Sequence, residues 1–273
     1  LLGGFFLYKK KGMDLAAIIG SAGIFSTFFG FMYGSFFGFE DVLKAIWLKP
    51  MNQMMDVPLV GRLNAVFVIA IGFGMFIILI CMVFNIINSI RRGDTEKTWF
   101  DSNAVAGLVF YGSIVLTIGL FISGKKLPAA AILVIMFGVP LLLMFLKEPL
   151  TNLVEKKSKI LPEQKGMFFV QSFFELFEVL LSYLSNTLSF LRIGAFAVSH
   201  AAMMEVVLML AGATNGGSPN WVVVVLGNIF VCAMEGLIVG IQVLRLEYYE
   251  IFSRFYAGNG REFKPFMKAA HKN

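Results

Sequence analysis

Charge is scarce in this chain: 15% of its 273 residues are Asp, Glu, Lys or Arg, against about a quarter in a soluble domain. With 58% hydrophobic residues and a mean hydropathy of +0.79, there is too little polar surface to enclose the apolar residues in water. That excludes a soluble globular protein and implies an integral membrane protein. Cysteine is nearly absent, and Cys81 and Cys232 both lie inside apolar runs. No disulfide framework or thiolate metal spacing follows from them. A Walker A loop, an HExxH pair and a Ser-His-Asp order are also missing, so no hydrolytic chemistry is encoded here and no cofactor is called for. Period-2 alternation is lacking too, which excludes a membrane barrel and leaves helices. The net charge of +6 sits in short loops between apolar spans, a matter of membrane topology and not of nucleic acid.

Apolar runs are what the chain has instead, at about residues 13–39, 62–90, 103–123, 127–146, 167–213 and 219–257. The opening "LLGGFFLY", residues 1–8, is about half the ~20 residues a spanning helix needs. It has no basic n-region, so it is no signal peptide and reads as the stub of a truncated helix. If each run crosses once, one side receives sixteen Lys and Arg and the other five. The positive-inside rule makes the richer side cytoplasmic, the C-terminus included.

That accounting places 21 of 23 bases in loops and leaves Arg192 and Arg245, one in each of the last two spans. Two crossings within 167–213, with a break near Ser182 to Asn186, would put the basic tail outside, so one crossing fits better. Roughly 45 helical residues far exceed a ~30 Å hydrocarbon core. The expected fold is an all-α, polytopic membrane bundle ending in two long, strongly tilted antiparallel helices. Residues 1–166 would hold the stub, four spans and their loops, 167–257 the two long helices, and 258–273 a cytoplasmic tail.

Gly30, Gly34 and Gly38 recur every fourth residue and predict close helix packing. Pro140 predicts a kink. Ser182, Ser185, Ser189, Arg192 and Ser199 advance by three, four, three and seven, one polar stripe on a helix, with His200 at its edge. In the last helix Asn228, Glu235 and Gln242 are seven apart, with Arg245 three further on. Both arginines could staple helices by pairing with Glu175, Glu178, Glu235 or Glu247, and Arg245 could snorkel. Arg192 has no acid one turn away, and a charge at bilayer depth costs at least ~2.5–3.5 kcal/mol. Its partner is therefore expected on another helix or another protein. Glu205 and Glu235 lie towards the non-cytoplasmic halves of their helices. Glu175, Glu178, Glu247 and Glu250 lie towards the cytoplasmic halves, where solvation at the interface is expected of Glu175, Glu247 and Glu250.

With these residues in view, the chain resembles the membrane domain of subunit a/I of rotary V/A-type ATPases. "SNTLSFLRIGAFAVSHA" is similar to that family's arginine helix, and "MEGLIVGIQVLRLEYYEIFSRFYAGNGREFKPF" to its final helix and tail. "FFGFMYGSFFGFED" and "VPLLLMFLKEPL" fit earlier helices more loosely. Gln242 stands where eukaryotic members have His, which suggests a prokaryotic form in the plasma membrane. The resemblance implies a non-catalytic stator subunit whose Arg192 faces the carboxylates of a rotating proteolipid ring, drives release of H⁺ or Na⁺ and blocks leak between two half-channels. It implies Glu205, Glu235 and His200, beside Ser199, for the non-cytoplasmic path. Ser185, Ser189 and Glu178 would serve the cytoplasmic one, and Arg245 would be an auxiliary charge. Central-stalk-capping and peripheral-stalk subunits would be met through an N-terminal domain outside this sequence. A free-standing secondary transporter would use Arg192 as an anion site, but the internal repeats this predicts are not found. A structural anchor would use both arginines as staples.

Overall fold

The computed structural model describes residues 2–34, 54–57, 61–126, 128–154, 165–213 and 219–256, with isolated positions 39, 46 and 258. Gly38, most of the 40–61 segment, the stretch 155–164 and the tail beyond 258 lie outside the described residues. In lipid each backbone N–H and C=O must be satisfied within its own segment, and helices follow. In chain order they are α1 (Leu2–Lys11), α2 (Asp14–Tyr33), α3 (Ala65–Arg92), α4 (Thr95–Trp99), α5 (Val105–Ile122), α6 (Ala130–Phe145), α7 (Lys147–Val154), α8 (Lys165–Ser189), α9 (Leu191–Leu210) and α10 (Trp221–Arg245). A π-helical segment, Leu246–Phe252, and the short α11 (Ser253–Phe255) continue α10. Among the described residues, five helices are long and apolar enough to cross a membrane, or six with the bent pair α6–α7 as one. The fold is all-α and polytopic, as the apolar runs predict. A two-stranded hairpin, β1 (Met54–Val57) with β2 (Gly61–Asn64), is an addition that the runs do not predict.

Helix ends follow their local chemistry. Asn64 caps α3 by accepting from the Val66 N–H at 3.0 Å, and Asn220 does the same for Val222 at 3.1 Å. Such caps satisfy donors that a first turn leaves open. At the other end of α3, Gly93 takes φ 71°, with Arg91 and Arg92 in the last turn opposing the negative end of the dipole.

The glycine strip behaves differently from its expectation. Gly34 ends α2 at φ 69°, and nothing among the described residues comes within 4 Å of where a Gly30 Cβ would sit. A left-handed residue terminates the helix at Gly34, and Gly38 lies outside the described residues. Close approaches occur elsewhere. A Cβ on Gly74 of α3 would collide with the Phe190 ring, and one on Gly194 of α9 would lie 2.9 Å from Phe67. Helix α3 is thus the hub that α5, α8, α9 and the π segment pack against. Its Met75, Ile78 and Met82 join Phe110, Tyr111, Tyr183, Phe190 and Leu246 in the main core.

Pro140 is buried within α6, but the sharp bend, 73°, falls beyond it between α6 and α7. Pro149 lies in the first turn of α7, where a missing N–H leaves no bond unmade. Helix α7 itself occupies what reads in sequence as polar loop. Lys147 ties it to α8 through Glu175 at 2.8 Å, so Glu175 is paired and not simply solvated.

Helices α8 and α9 form one continuous run of 45 residues, Gly166–Leu210, about 67 Å long at 1.5 Å per residue. That agrees with a single passage and not with a break at Ser182 to Asn186. The α10–α11 run, Trp221–Phe255, has 35 residues. The two runs are antiparallel: Ala211 meets Asn220, Val207 meets Gly227, His200 meets Glu235, and Ser189 meets Glu250.

Candidate functional site

That register sets Arg192 level with Arg245 across the helix pair. Near this level both helices leave α geometry. On the α8–α9 side the Phe190 N–H bonds to the Thr187 carbonyl at 3.3 Å and Ile193 to Phe190 at 3.1 Å, a tightened, 3₁₀-like turn just before the arginine. On the opposing side the chain widens into the π segment. Tight or wide turns inside long helices recur at functional positions because they re-aim side chains without ending the helix.

Arg192 is half-buried, and its Nη2 donates to Ser189 Oγ at 3.3 Å. Its Nη1 is buried with no hydrogen-bond partner, and so is Gln242 Oε1. No carboxylate lies within ion-pair distance of Arg192 or Arg245 among the described residues. The intramolecular staples through Glu175, Glu178, Glu235 or Glu247 are therefore not formed. Arg245 is exposed on the pair's surface, as are Ser182, Ser185 and Ser199.

Towards the α9–α10 turn, His200 Nδ1 and Glu235 Oε2 are 2.5 Å apart. The sequence stripes place these two on separate helices, and the fold brings them together. Glu205 stays exposed without a hydrogen bond or ion pair among the described residues. Met204 and Val207 pack against Val231 between the same two helices.

Towards the other end, exposed Glu178 lines a cleft of about 310 Å³ with Asp101, Lys147, Glu175 and Ser182. Its neighbour, about 100 Å³, shares Ser102, Val179 and Ser182 and reaches Tyr183, Asn186 and Arg254. The two clefts lie side by side at the α4–α5 corner, sharing these lining residues. Ser189 donates to Glu250 Oε1, while Ser185 has no such contact among the described residues.

Two residues here escape the sequence reading. Glu250, expected at the solvated interface, is only 6% exposed, and Arg254, expected among the loop bases, is also 6% exposed. Arg254 Nη1 donates to Asn103 Oδ1 at 2.9 Å, its Nε donates to the Glu250 carbonyl at 3.2 Å, and its guanidinium lies over the Tyr183 ring. The signal was present in the spacing: Leu246, Glu250 and Arg254 recur every fourth residue and are all buried, while Tyr248, Tyr249 and Tyr256 between and beyond them are exposed. The abundance of aromatics and charge makes the stretch look like a membrane interface, which hides that face.

Comparison with known proteins follows the same stretch. The profile of the V-type ATPase 116kDa subunit family matches residues 148–268. A-type ATP synthase subunit I of Saccharolobus solfataricus is 41% identical over 100 residues, 33% of this chain and 14% of the relative. The corresponding subunit of Pyrococcus horikoshii is 25% identical over 272 residues, 94% of this chain and 37% of the relative. V-type proton ATPase 116 kDa subunit a 3 of Homo sapiens is 35% identical over 106 residues, 34% of this chain and 13% of the relative. The chain thus spans well under half the length of these relatives.

Proposed function

Because this chain belongs to the family of subunit a/I of the rotary V/A-type ATPases, in its prokaryotic form, we propose that it is the stator part against which a proteolipid ring turns. The carrying observation is a membrane-depth arginine, Arg192, with a free buried Nη1 and no carboxylate partner among the described residues. A cation at that depth calls for an acid from outside the chain. A carboxylate on each ring subunit supplies one.

In lipid that carboxylate is neutral, protonated or Na⁺-bound, because an ionised acid there is costly. Opposite Arg192 its charged form is stabilised, so it gives up its ion. The same positive charge repels a cation passing straight between the two paths. His200 and Glu235, with Glu205 and Ser199 nearby, line the non-cytoplasmic path. Glu178, Ser185 and Ser189 line the cytoplasmic one, beside the two clefts at the α4–α5 corner. Arg245, level with Arg192, is a second charge facing the ring, and Gln242 is a polar neighbour without charge. Steep tilt of the two long helices fits them to the curved side of the ring.

The chain performs no hydrolysis; the chemistry belongs to other subunits. The protein is integral to the plasma membrane with its C-terminus cytoplasmic, and stalk subunits are its further partners. The test is Arg192→Ala in the complete ATPase, with ring pull-down to check assembly. Loss of ATP-driven ion uptake in an assembled complex supports the reading. Normal uptake removes Arg192 from the translocation step, and loss of assembly makes it a staple.

A further inference from the structure

Glu250 has no assigned part in this scheme, yet its position is the least ordinary in the molecule. It is a carboxylate 6% exposed inside a membrane bundle. One oxygen accepts from the Ser189 hydroxyl, and the other is buried without a partner. A carboxylate so placed is costly unless charge and hydrogen bonds compensate it.

Ser189 has a single O–H. Because that proton goes to Glu250, the Ser189 oxygen is left to accept, and Arg192 Nη2 donates to it. The three groups form one directional chain, guanidinium to hydroxyl to carboxylate, whose links polarise one another. Its ends are two unpartnered atoms, Arg192 Nη1 and Glu250 Oε2. Arg254 completes the electrostatics, one turn beyond Glu250 and within reach of its charge.

The backbone is shaped for this. The π segment widens the last helix where Glu250 must turn inward, and Leu246 and Arg254 bury on the same face. Opposite, the tightened turn at Phe190 carries Ser189 and Arg192 on its two sides.

Resting on the stator reading above, we propose that Glu250, acting through Ser189, is the positioning residue of Arg192. It fixes one edge of the guanidinium and supplies a countercharge while no ring carboxylate stands opposite. That leaves the buried Nη1 without a partner inside the chain and so available to the visiting acid. Glu250 touches no transported ion; it acts only through the arginine.

The experiment uses the complete ATPase reconstituted in vesicles, measuring ATP-driven ion uptake beside ring pull-down for Glu250→Gln, Ser189→Ala, the double variant and Arg192→Ala. Losing a hydrogen bond to a charged group corresponds to about tenfold in rate. Each single variant is therefore expected to lower uptake about tenfold in assembled complexes, and the double variant to fall no further. That non-additivity is a readout a merely structural residue does not give. Uptake within about twofold of the parent for assembled Ser189→Ala, or multiplicative losses in the double variant, overturns the proposal. If Glu250→Gln fails to assemble, Ser189→Ala alone decides. Retained uptake in Arg192→Ala overturns the stator reading and this inference with it. Loss in Arg192→Ala with full activity in Ser189→Ala overturns only the inference.

Discussion

At the scale of single residues, the more deeply buried cation is the more exacting one to accommodate. Arg254 holds Asn103, the Glu250 carbonyl and the Tyr183 face at once. A guanidinium reaches all three because its donors lie in a rigid plane; a lysine ammonium cannot. Arg254→Ala is expected to destabilise the subunit by about 2 kcal/mol, the worth of a charge-assisted hydrogen bond lost from a buried site. A lower midpoint of thermal aggregation in detergent is the measurement, and Arg254→Lys should not restore it. His200 and Glu235 make the complementary prediction, with stability largely kept and transport lost. Their contact spans α9 and α10 and lies on the proposed non-cytoplasmic path. Glu235→Gln is therefore expected to reduce ATP-driven uptake by about tenfold or more, the scale of a lost proton-relay group, in a complex that still pulls down its ring. Wild-type uptake would remove the pair from the path.

At the scale of elements, packing around α3 decides where the arginine helix sits. Gly74 admits the Phe190 ring, which is 1% exposed and two residues from Arg192. Gly74→Ala puts a methyl group into that ring, and overpacking of this kind costs about 1–3 kcal/mol. Both the thermal midpoint and uptake should fall, and adding Phe190→Ala should recover part of the uptake by freeing the ring's space. The apolar runs foretold the helices well, since length and composition alone decide what can cross a bilayer. The pairing of His200 with Glu235 was half legible: each stripe showed in sequence, and antiparallel connection by a short turn made them neighbours. Glu250 and Arg254 showed only as a fourfold spacing with Leu246, masked by the aromatics around them, and α7 was not legible. Whether a charge at a helix end is solvated or folded inward depends on a π turn and on Asn103 and Tyr183, far off in the chain. Periodicity also does not reveal that Gly34 ends its helix.

At the scale of the whole molecule, the asymmetry behind the proposed sides stays large even with Arg254 moved from loop to interior. A cysteine at Ser218, between α9 and α10, should react with a membrane-impermeant maleimide from outside intact cells, and one at Lys97 in α4 only after permeabilisation. The reverse pattern would invert the topology and exchange the two proposed paths. The native thiols give little background, because Cys81 is buried and Cys232 lies in the apolar α10.

The π segment divides the last helix into two halves with separate rotational phase. Upstream, Glu235 is locked to α9; downstream, Arg254 is locked to the α4–α5 corner. An α-helix turns 100° per residue, so removing one residue from the wide turn would leave the upstream face in place and swing the downstream one by about that angle. Tyr249, exposed within the segment, is the place to make such a deletion. It uncouples two faces that point substitutions can alter only one at a time. For the same reason, homologues aligned through this helix without a gap can match at Arg245 and still be out of phase at Arg254.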